Sequence, residues 1–188
     1  MALILGLFFS SFLIPRPLSE SERNELGLVL FDSPRPLYDF EMQDQNGEPV
    51  NLESLKGSWN LLFFAFTSCP DICPTTLSSI SKAYSELKTP VRIIMVTVDP
   101  DRDSLEILRN YLRSFNEDFI GYRGEFDETV KLAQQLNVAF GKIPGSQPGT
   151  YTMDHNASLA LVDSGGNYVG FIKSPQSSSN IQTILNSF

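Results

Sequence analysis

The sequence is poor in the side chains that bind soft metal ions. Its 188 residues include two cysteines, Cys69 and Cys73, and one histidine, His155. A closed structural zinc site uses four cysteine or histidine ligands, so these residues cannot complete one. A framework of several disulfides is excluded as well, and a domain of about 150 residues can bury a full core without one.

Positive charge is also scarce. The chain has 14 lysines and arginines against 22 acidic residues, which gives a formal net charge of -8. The basic residues form no run along the sequence. Because binding to phosphates needs clustered lysine and arginine, we predict no nucleic-acid partner. The hydrophobic content of 41% is that of a globular domain.

Long apolar runs are absent too, since none reaches the ~20 residues of a membrane-spanning helix. The run Ala2–Ile14 is typical of the hydrophobic region of a signal peptide. We therefore expect an export signal or short membrane anchor over residues 1–14 and a linker over 15–36, with an apolar patch at Leu26–Phe31 that docks on the domain. Residues 37–188 are the predicted folded domain, placed outside the cytoplasm.

The predicted domain alternates apolar strands with amphipathic helices. Trp59–Phe66 and Val91–Val98 are nearly all apolar, which indicates central strands buried on both faces. Asp44–Gly47 predicts the turn of an opening β-hairpin. The remaining predicted elements are helices over 74–87, 104–115, 127–136 and after Ser177, capped by Ser104, Asp127 and Ser177, with strands over 119–123, 158–162 and 168–172 and an irregular loop over 141–150. This order predicts an α/β, thioredoxin-like fold: a central mixed β-sheet flanked by helices, with an N-terminal β-hairpin extension.

The two cysteines lie where the first central strand leads into a helix. Cys69 follows the strand closely, and Cys73 lies at or next to the helix start. Pro70 and Pro74 stiffen this loop. Residues one turn apart can have Cα atoms ~6 Å apart, which suits either a disulfide or two ligands of one metal ion. Because a helix N-terminus favours a thiolate, we expect the pKa of Cys73 to lie below the ordinary value of ~8.5.

Three kinds of chemistry are open to this pair: a static disulfide, a redox-active dithiol, and metal binding. In a thioredoxin-like layout the loop that carries His155 faces the helix that carries the cysteines, so we interpret His155 as a third ligand. Two thiolates and one imidazole suit Cu(I), which accepts trigonal geometry, and Cu(II) with a weak further donor. An open coordination position suits a protein that hands its metal on.

Several neighbours of these residues have weaker signals. Asp154 could orient the imidazole of His155, and Asp71 lies between the cysteines. Met153 offers a thioether, but core packing is the better interpretation at an apolar position entering a strand. The three carboxylates of Asp99–Asp103 could bind a hard cation, although helix capping and solvation explain them better.

Three segments carry a family resemblance. Phe64–Pro74 (FAFTSCPDICP), Val98–Asp103 (VDPDRD) and Tyr151–His155 (YTMDH) resemble the Sco/SenC family of copper-binding assembly factors for cytochrome c oxidase. The resemblance extends over about Leu37 to Phe188, with the segments in the same order. The core pattern Cys-Pro-Asp-x-Cys-Pro with a distant Asp-His is more specific than a pair of cysteines alone.

The resemblance implies a thioredoxin-like fold and copper held by Cys69, Cys73 and His155. It also implies an upstream copper donor and delivery to the dinuclear copper centre of cytochrome c oxidase subunit II. The location implied is the periplasmic side of the inner membrane, or the mitochondrial intermembrane space in a eukaryote, with attachment to the membrane through the N-terminus. Ala65 and Ser68 stand where glycine and histidine are common in the family.

A second function stays open on this evidence. In this alternative, the protein is a thiol–disulfide oxidoreductase that reduces a partner's cysteines before they bind copper, and Cys69 and Cys73 are its redox pair. Three residues between the cysteines, instead of two, weaken a thioredoxin role. A peroxidase is disfavoured, because Phe66 and Leu62 stand where peroxiredoxins carry threonine and proline. Metal delivery is thus the main expectation, and thiol–disulfide reductase activity is the alternative.

Overall fold

The computed structural model describes residues 16–188, so the predicted signal or anchor segment lies outside the described residues. An eight-stranded mixed sheet forms the centre, with the strand order β1-β10-β9-β4-β5-β6-β2-β3, and β7 and β8 form a separate two-stranded sheet. The strands are β1 (Leu28–Pro36), β2 (Met42–Asp44), β3 (Pro49–Val50), β4 (Trp59–Ala65), β5 (Val91–Thr97), β6 (Ile120–Arg123), β7 (Phe140–Pro144), β8 (Tyr151–His155), β9 (Leu159–Val162) and β10 (Asn167–Ile172).

The most apolar strands lie in the middle of the large sheet. β4 pairs in parallel with β5 and antiparallel with β9, and β5 pairs in parallel with β6. Nearly every residue of β4, β5 and β9 is buried. Strands covered on both faces need apolar side chains on both faces, which explains the unbroken apolar runs. The two predicted central strands are therefore confirmed.

Five α-helices flank the sheet over the described residues. They are α1 (Glu20–Leu26), α2 (Ile72–Tyr84), α3 (Leu105–Arg113), α4 (Phe126–Gln135) and α5 (Ser178–Leu185). The predicted caps Ser104 and Ser177 each accept a hydrogen bond from a backbone N–H in the first turn of the helix that follows. Asp127 does not cap α4: the N-cap is Glu125, and Asp127 lies in the first turn, where its negative charge still suits the helix dipole.

α3 lies directly on β6. A Cβ atom at Gly121 of β6 would approach the side-chain atoms of Leu108 and Leu112 to within 2.6–2.8 Å, so glycine lets the helix pack close to the strand. On another part of the sheet, α2 contacts α5, which in turn contacts α1. The predicted mixed sheet flanked by helices is confirmed.

The segment predicted as a linker, 15–36, has regular structure over most of its length. Ser19 forms a capping box at the start of α1, and β1 pairs antiparallel with β10 at one edge of the sheet. The predicted apolar patch does dock, because Leu28 is buried and Leu30 packs against the core. β1 also forms backbone hydrogen bonds with β10, which extend the contact with the domain along the strand. The prediction of a tether is wrong for these residues.

The predicted opening hairpin is present, with its turn at Asp44–Gly47. β2 pairs with β3 and also with β6, so the hairpin is the second edge of the large sheet. A second hairpin corrects the predicted irregular loop over 141–150. β7 and β8 pair in register from Phe140 opposite His155 to Pro144 opposite Tyr151. The prolines and glycines predicted a break, but only the tip between the two strands lacks ladder pairing.

Candidate metal centre

The cysteine loop runs from the end of β4 to the first turn of α2. The backbone N–H of Cys69 donates to the carbonyl of Phe66 over 3.2 Å. Cys73 is the second residue of α2, and its N–H donates to Sγ of Cys69 over 3.4 Å. The helix begins earlier than predicted, since Pro74 lacks only an N–H that the first turn leaves free. The turn therefore holds both sulfurs at the N-terminus of α2.

His155 is the last residue of β8 and approaches the cysteines from the other side. Its Nε2 lies 3.2 Å from Sγ of Cys73, and its Nδ1 lies 3.3 Å from the carbonyl oxygen of Asn156. The rings of Phe63 and Phe66 contact the imidazole edge-to-face, at centroid distances of 6.0 and 5.9 Å. A proton on Nδ1 can donate to the Asn156 carbonyl, which leaves the lone pair of Nε2 directed toward the cysteines.

Cys69, Cys73 and His155 form a compact ligand set. Their Sγ, Sγ and imidazole nitrogen atoms all lie within 4.8 Å of one another. Cys73 is fully buried, Cys69 is 9% exposed, and His155 is half-buried. Both cysteines are free thiols. The structure thus brings together the three residues that the sequence singled out.

Burial shifts the pKa values of Cys73 and His155. It raises the pKa of Cys73 well above the ordinary thiol value, and a hydrogen bond that the protonated Cys73 thiol donates to Cys69 adds to the effect. The predicted lowering of this pKa is therefore wrong in the metal-free protein, because loss of hydration outweighs the helix dipole. Burial also lowers the pKa of His155. The imidazole is neutral at pH 7, which is the form that binds metals.

The residues beside the ligand set occupy different environments. Asp71 and Asp154 are exposed, and Asp71 forms no side-chain capping bond to α2. The carbonyl of Asn156, and not Asp154, faces Nδ1 of His155, so the hypothesis that Asp154 orients the ring is not supported. Met153 is 5% exposed and belongs to the core, as predicted. An open depression of about 280 Å³ gives access to the site beside Cys69, Pro70 and His155.

In the acidic turn Asp99–Asp103, Asp101 is exposed as predicted, but the other two carboxylates are not solvated. Asp99 and Asp103 are 1% and 0% exposed, and both carboxylates accept hydrogen bonds from buried or half-buried groups. The capping expected of this turn is supplied by the neighbouring Ser104. No cation is needed to explain these carboxylates, because polar donors already satisfy them.

Sequence reasoning missed the partners of this turn, which are Thr67, Thr97, Arg102 and Tyr151. Thr67 lies two residues before Cys69, and Tyr151 begins the strand that ends at His155. One signal was present in the sequence. Thr67 and Thr97 stand at the ends of two otherwise apolar segments, and a polar side chain at a buried position needs a hydrogen-bond partner.

In this mixed sheet a buried strand leads to a dithiol at a helix N-terminus, and a histidine from a later segment faces the dithiol. These features define a thioredoxin-like protein with a Cys–Cys–His site. The family model SCO1/SenC matches residues 33–188. The chain therefore belongs to the SCO1/SenC family, which confirms the resemblance in the sequence.

Relatives and solved structures agree with this assignment. A protein of Stutzerimonas stutzeri is 35% identical over 167 residues, which cover 86% of this chain and 81% of that protein. Protein SCO1, mitochondrial, of Saccharomyces cerevisiae is 32% identical over 135 residues, or 69% of this chain and 46% of the yeast protein. The chain thus spans about half the length of that relative.

Two solved structures carry the comparison further. Bradyrhizobium japonicum ScoI with copper bound has a TM-score of 0.72 and 35% identity, covering 80% of this chain and 97% of that one. BsSco, described with a disulfide switch and as a member of the Sco family of cytochrome c oxidase assembly proteins, has a TM-score of 0.65 and 26% identity, covering 84% and 96%. The thioredoxin-like fold is confirmed.

Proposed function

We propose that this protein binds copper through Cys69, Cys73 and His155 and delivers it to the dinuclear copper centre of cytochrome c oxidase subunit II. The observation that supports this most strongly is the ligand set itself, whose three donor atoms lie within 4.8 Å of one another. Membership of a family that includes a copper-bound structure supports copper as the metal.

The donor set fits copper better than zinc. Two thiolates suit the soft Cu(I) ion, and the imidazole adds a ligand that Cu(II) also favours. A structural zinc ion would take a fourth protein ligand, and the chain has no further cysteine or histidine. Copper is the cargo here, so an incomplete shell is useful, because an acceptor thiolate can enter the vacant position before the donor ligands leave.

Binding at this site releases protons. Both thiols must ionise to become ligands, and burial holds the thiol of Cys73 in its protonated form when no metal is bound. His155 needs no such step at pH 7, because its lowered pKa keeps the imidazole neutral. The positive charge of copper therefore replaces protons on the sulfurs, which limits the charge that the buried site has to hold.

The acceptor, donor and location are part of the same proposal. The description of BsSco as a member of a family of cytochrome c oxidase assembly proteins supports an oxidase acceptor, with an upstream protein as donor. The apolar segment Ala2–Ile14 and the mitochondrial yeast relative support a domain held outside the cytoplasm, on the periplasmic side of the inner membrane or in the intermembrane space.

A copper titration of the reduced protein tests the proposal. We expect the wild type to bind one copper ion per chain and His155→Ala to bind Cu(II) about 10–100-fold more weakly, with a smaller loss for Cu(I). Asp154→Ala is the matched control, because Asp154 is exposed and makes no hydrogen bond to the imidazole. Equal copper affinity in His155→Ala and the wild type would contradict the three-ligand site.

Delivery is tested by mixing the copper-loaded protein with the reduced copper-binding domain of subunit II. Copper should move to the acceptor, and the absorption of its dinuclear centre should appear. Copper that stays on this protein, while free copper ions fill the acceptor readily, would rule out delivery to that centre.

A second function is favoured by the two free thiols, which lie close enough for Cys73 to donate its N–H to Sγ of Cys69. In this reaction the dithiol becomes a disulfide while a disulfide of the partner is reduced to two thiols. The disulfide switch described for BsSco supports it. If His155→Ala reduces an oxidised acceptor as fast as the wild type but fails to deliver copper, the two functions are separate.

A further inference from the structure

The acidic turn Asp99–Asp103 contacts both halves of the metal site. On the cysteine side, the carboxylate of Asp103 accepts hydrogen bonds from the backbone N–H of Thr67 at 3.1 Å and from its hydroxyl at 2.5 Å. The hydroxyl of Thr97 donates to the same carboxylate at 2.5 Å. Bonds of this kind to a charged acceptor are stronger than neutral ones, so they fix the start of the loop that carries Cys69.

On the histidine side, the same turn binds both the side-chain hydroxyl and the backbone carbonyl of Tyr151. The hydroxyl of Tyr151 donates to the carboxylate of Asp99 over 2.8 Å. Arg102 donates to the other oxygen of Asp99 and, through Nη1, to the backbone carbonyl of Tyr151 at 3.1 Å. The guanidinium also lies 4.1 Å from the centre of the Tyr151 ring. Tyr151 is the first residue of β8, and His155 is the last.

The placement of β8 depends on such side-chain contacts. Within residues 16–188, β8 pairs with β7 alone, and the two strands are not part of the eight-stranded sheet. Backbone ladder bonds therefore do not connect the strand of His155 to the strand that leads to Cys69. The pair of Lys142 with Asp101 also joins the hairpin to the turn, but both side chains are exposed and such pairs contribute little. The buried contacts of Asp99 are therefore the strong polar anchor of β8, beside the apolar packing of Met153 in the core.

We propose that Asp99, Arg102 and Tyr151 are positioning residues that hold His155 at ligand distance from Cys73. This inference rests on the proposed copper site. Its physical basis is that the sulfurs are fixed by β4 and α2, whereas the imidazole reaches them only while β8 is anchored. Loosening the anchor changes the site from three protein ligands toward two.

The two oxidation states of copper separate this role from general stabilisation. Two thiolates alone satisfy Cu(I), whereas Cu(II) gains more from the imidazole. Loss of the anchor should therefore weaken Cu(II) binding selectively. A substitution that merely destabilised the fold would weaken the binding of both ions together, because it would lower the population of the folded protein.

The test compares Tyr151→Phe with the wild type, and Asp101→Asn serves as a control in the same turn. We expect Tyr151→Phe to bind Cu(II) about tenfold more weakly, as for the loss of one hydrogen bond to a charged group, with an altered Cu(II) electron paramagnetic resonance spectrum. Cu(I) affinity should stay within about twofold. Amide hydrogen exchange over residues 151–155 of the metal-free protein should be faster by a similar factor of about ten. Asp101→Asn should match the wild type in all four measurements.

The inference would be overturned if Tyr151→Phe left both Cu(II) affinity and amide hydrogen exchange over residues 151–155 unchanged. Equal weakening of Cu(I) and Cu(II), together with a lower melting temperature, would overturn it in favour of a structural role. If the wild type itself binds no copper, the proposed function fails instead. The exchange measurement on the metal-free protein still decides whether Tyr151 anchors β8: faster exchange supports the anchor, and unchanged exchange overturns it.

Discussion

Cys69 and Cys73 follow a strand at the centre of an eight-stranded sheet, whereas His155 ends a strand of a hairpin outside that sheet. The cysteine side is held by parallel ladders with β5, by helix α2 and by a turn closed by backbone hydrogen bonds. The histidine side is held to the body of the protein largely through side chains. In the proposed copper site, two ligands are therefore set by the fold and the third is set by a few contacts.

The difference shows how one site can combine rigidity with access. A fixed pair of sulfurs keeps a binding position ready without ordering the chain again for each ion. A ligand on a separately anchored hairpin can be changed without disturbing the core. Three substitutions, from the largest expected effect to the smallest, test this comparison between the cysteine side and the histidine side.

Cys73→Ser should have the largest effect. The free energy of a four-ligand structural metal site is about 10–16 kcal/mol, so one thiolate accounts for ~3–4 kcal/mol, or several hundredfold in copper affinity. Competition with a chelator measures this loss for Cu(I) and Cu(II) alike. Ser68→Ala, at the exposed position beside Cys69, is the control and should bind as the wild type. A loss below about tenfold would show that the cysteine side is not the fixed half of the site.

Asp103→Ala should have the second largest effect, on stability. It leaves the N–H and hydroxyl of Thr67 and the hydroxyl of Thr97 without their acceptor in a buried place. We expect the free energy of unfolding of the metal-free protein to fall by about 2–4 kcal/mol, measured by denaturant titration. The exposed Glu117, replaced by alanine, is the control. A fall below about 1 kcal/mol would mean that the cysteine loop does not depend on this carboxylate.

Lys142→Ala should have the smallest effect. The lysine and its partner Asp101 are 44% and 65% exposed, so solvent screens their ion pair and it contributes little to stability. Copper affinity and the unfolding midpoint should both stay close to the wild-type values, at high and at low salt. A clear loss of Cu(II) affinity would show that the exposed contact, and not the buried Asp99, anchors the hairpin.

Much of the cysteine side could be predicted from the sequence, because its signals are local. Apolar runs predict β4 and β5, and the position of the cysteines between β4 and α2 follows from chain order. The pKa of Cys73 could not be predicted in this way. Proximity to a helix N-terminus is visible in the sequence, but the complete burial that opposes it depends on packing from distant segments.

The histidine side was harder to predict. The sequence around Pro144 and Gly149 indicates a break, and the pairing of β7 with β8 depends on register that no strong alternation marks. The contact between Tyr151 and Asp99 joins residues far apart in the chain. Neither residue type signals such a pair by itself. The approach of His155 to the cysteines was correctly expected only because the fold class supplied the missing geometry.

The two edge strands of the large sheet affect how the protein behaves in crowded solution. One edge strand, β1, carries Pro34, Arg35 and Pro36 at exposed positions, and the other, β3, is only two residues long and begins with Pro49. Proline lacks the N–H that a docking strand would need, and short or charged edges discourage pairing between molecules. Both edges of the sheet are thus protected against edge-to-edge pairing with another molecule.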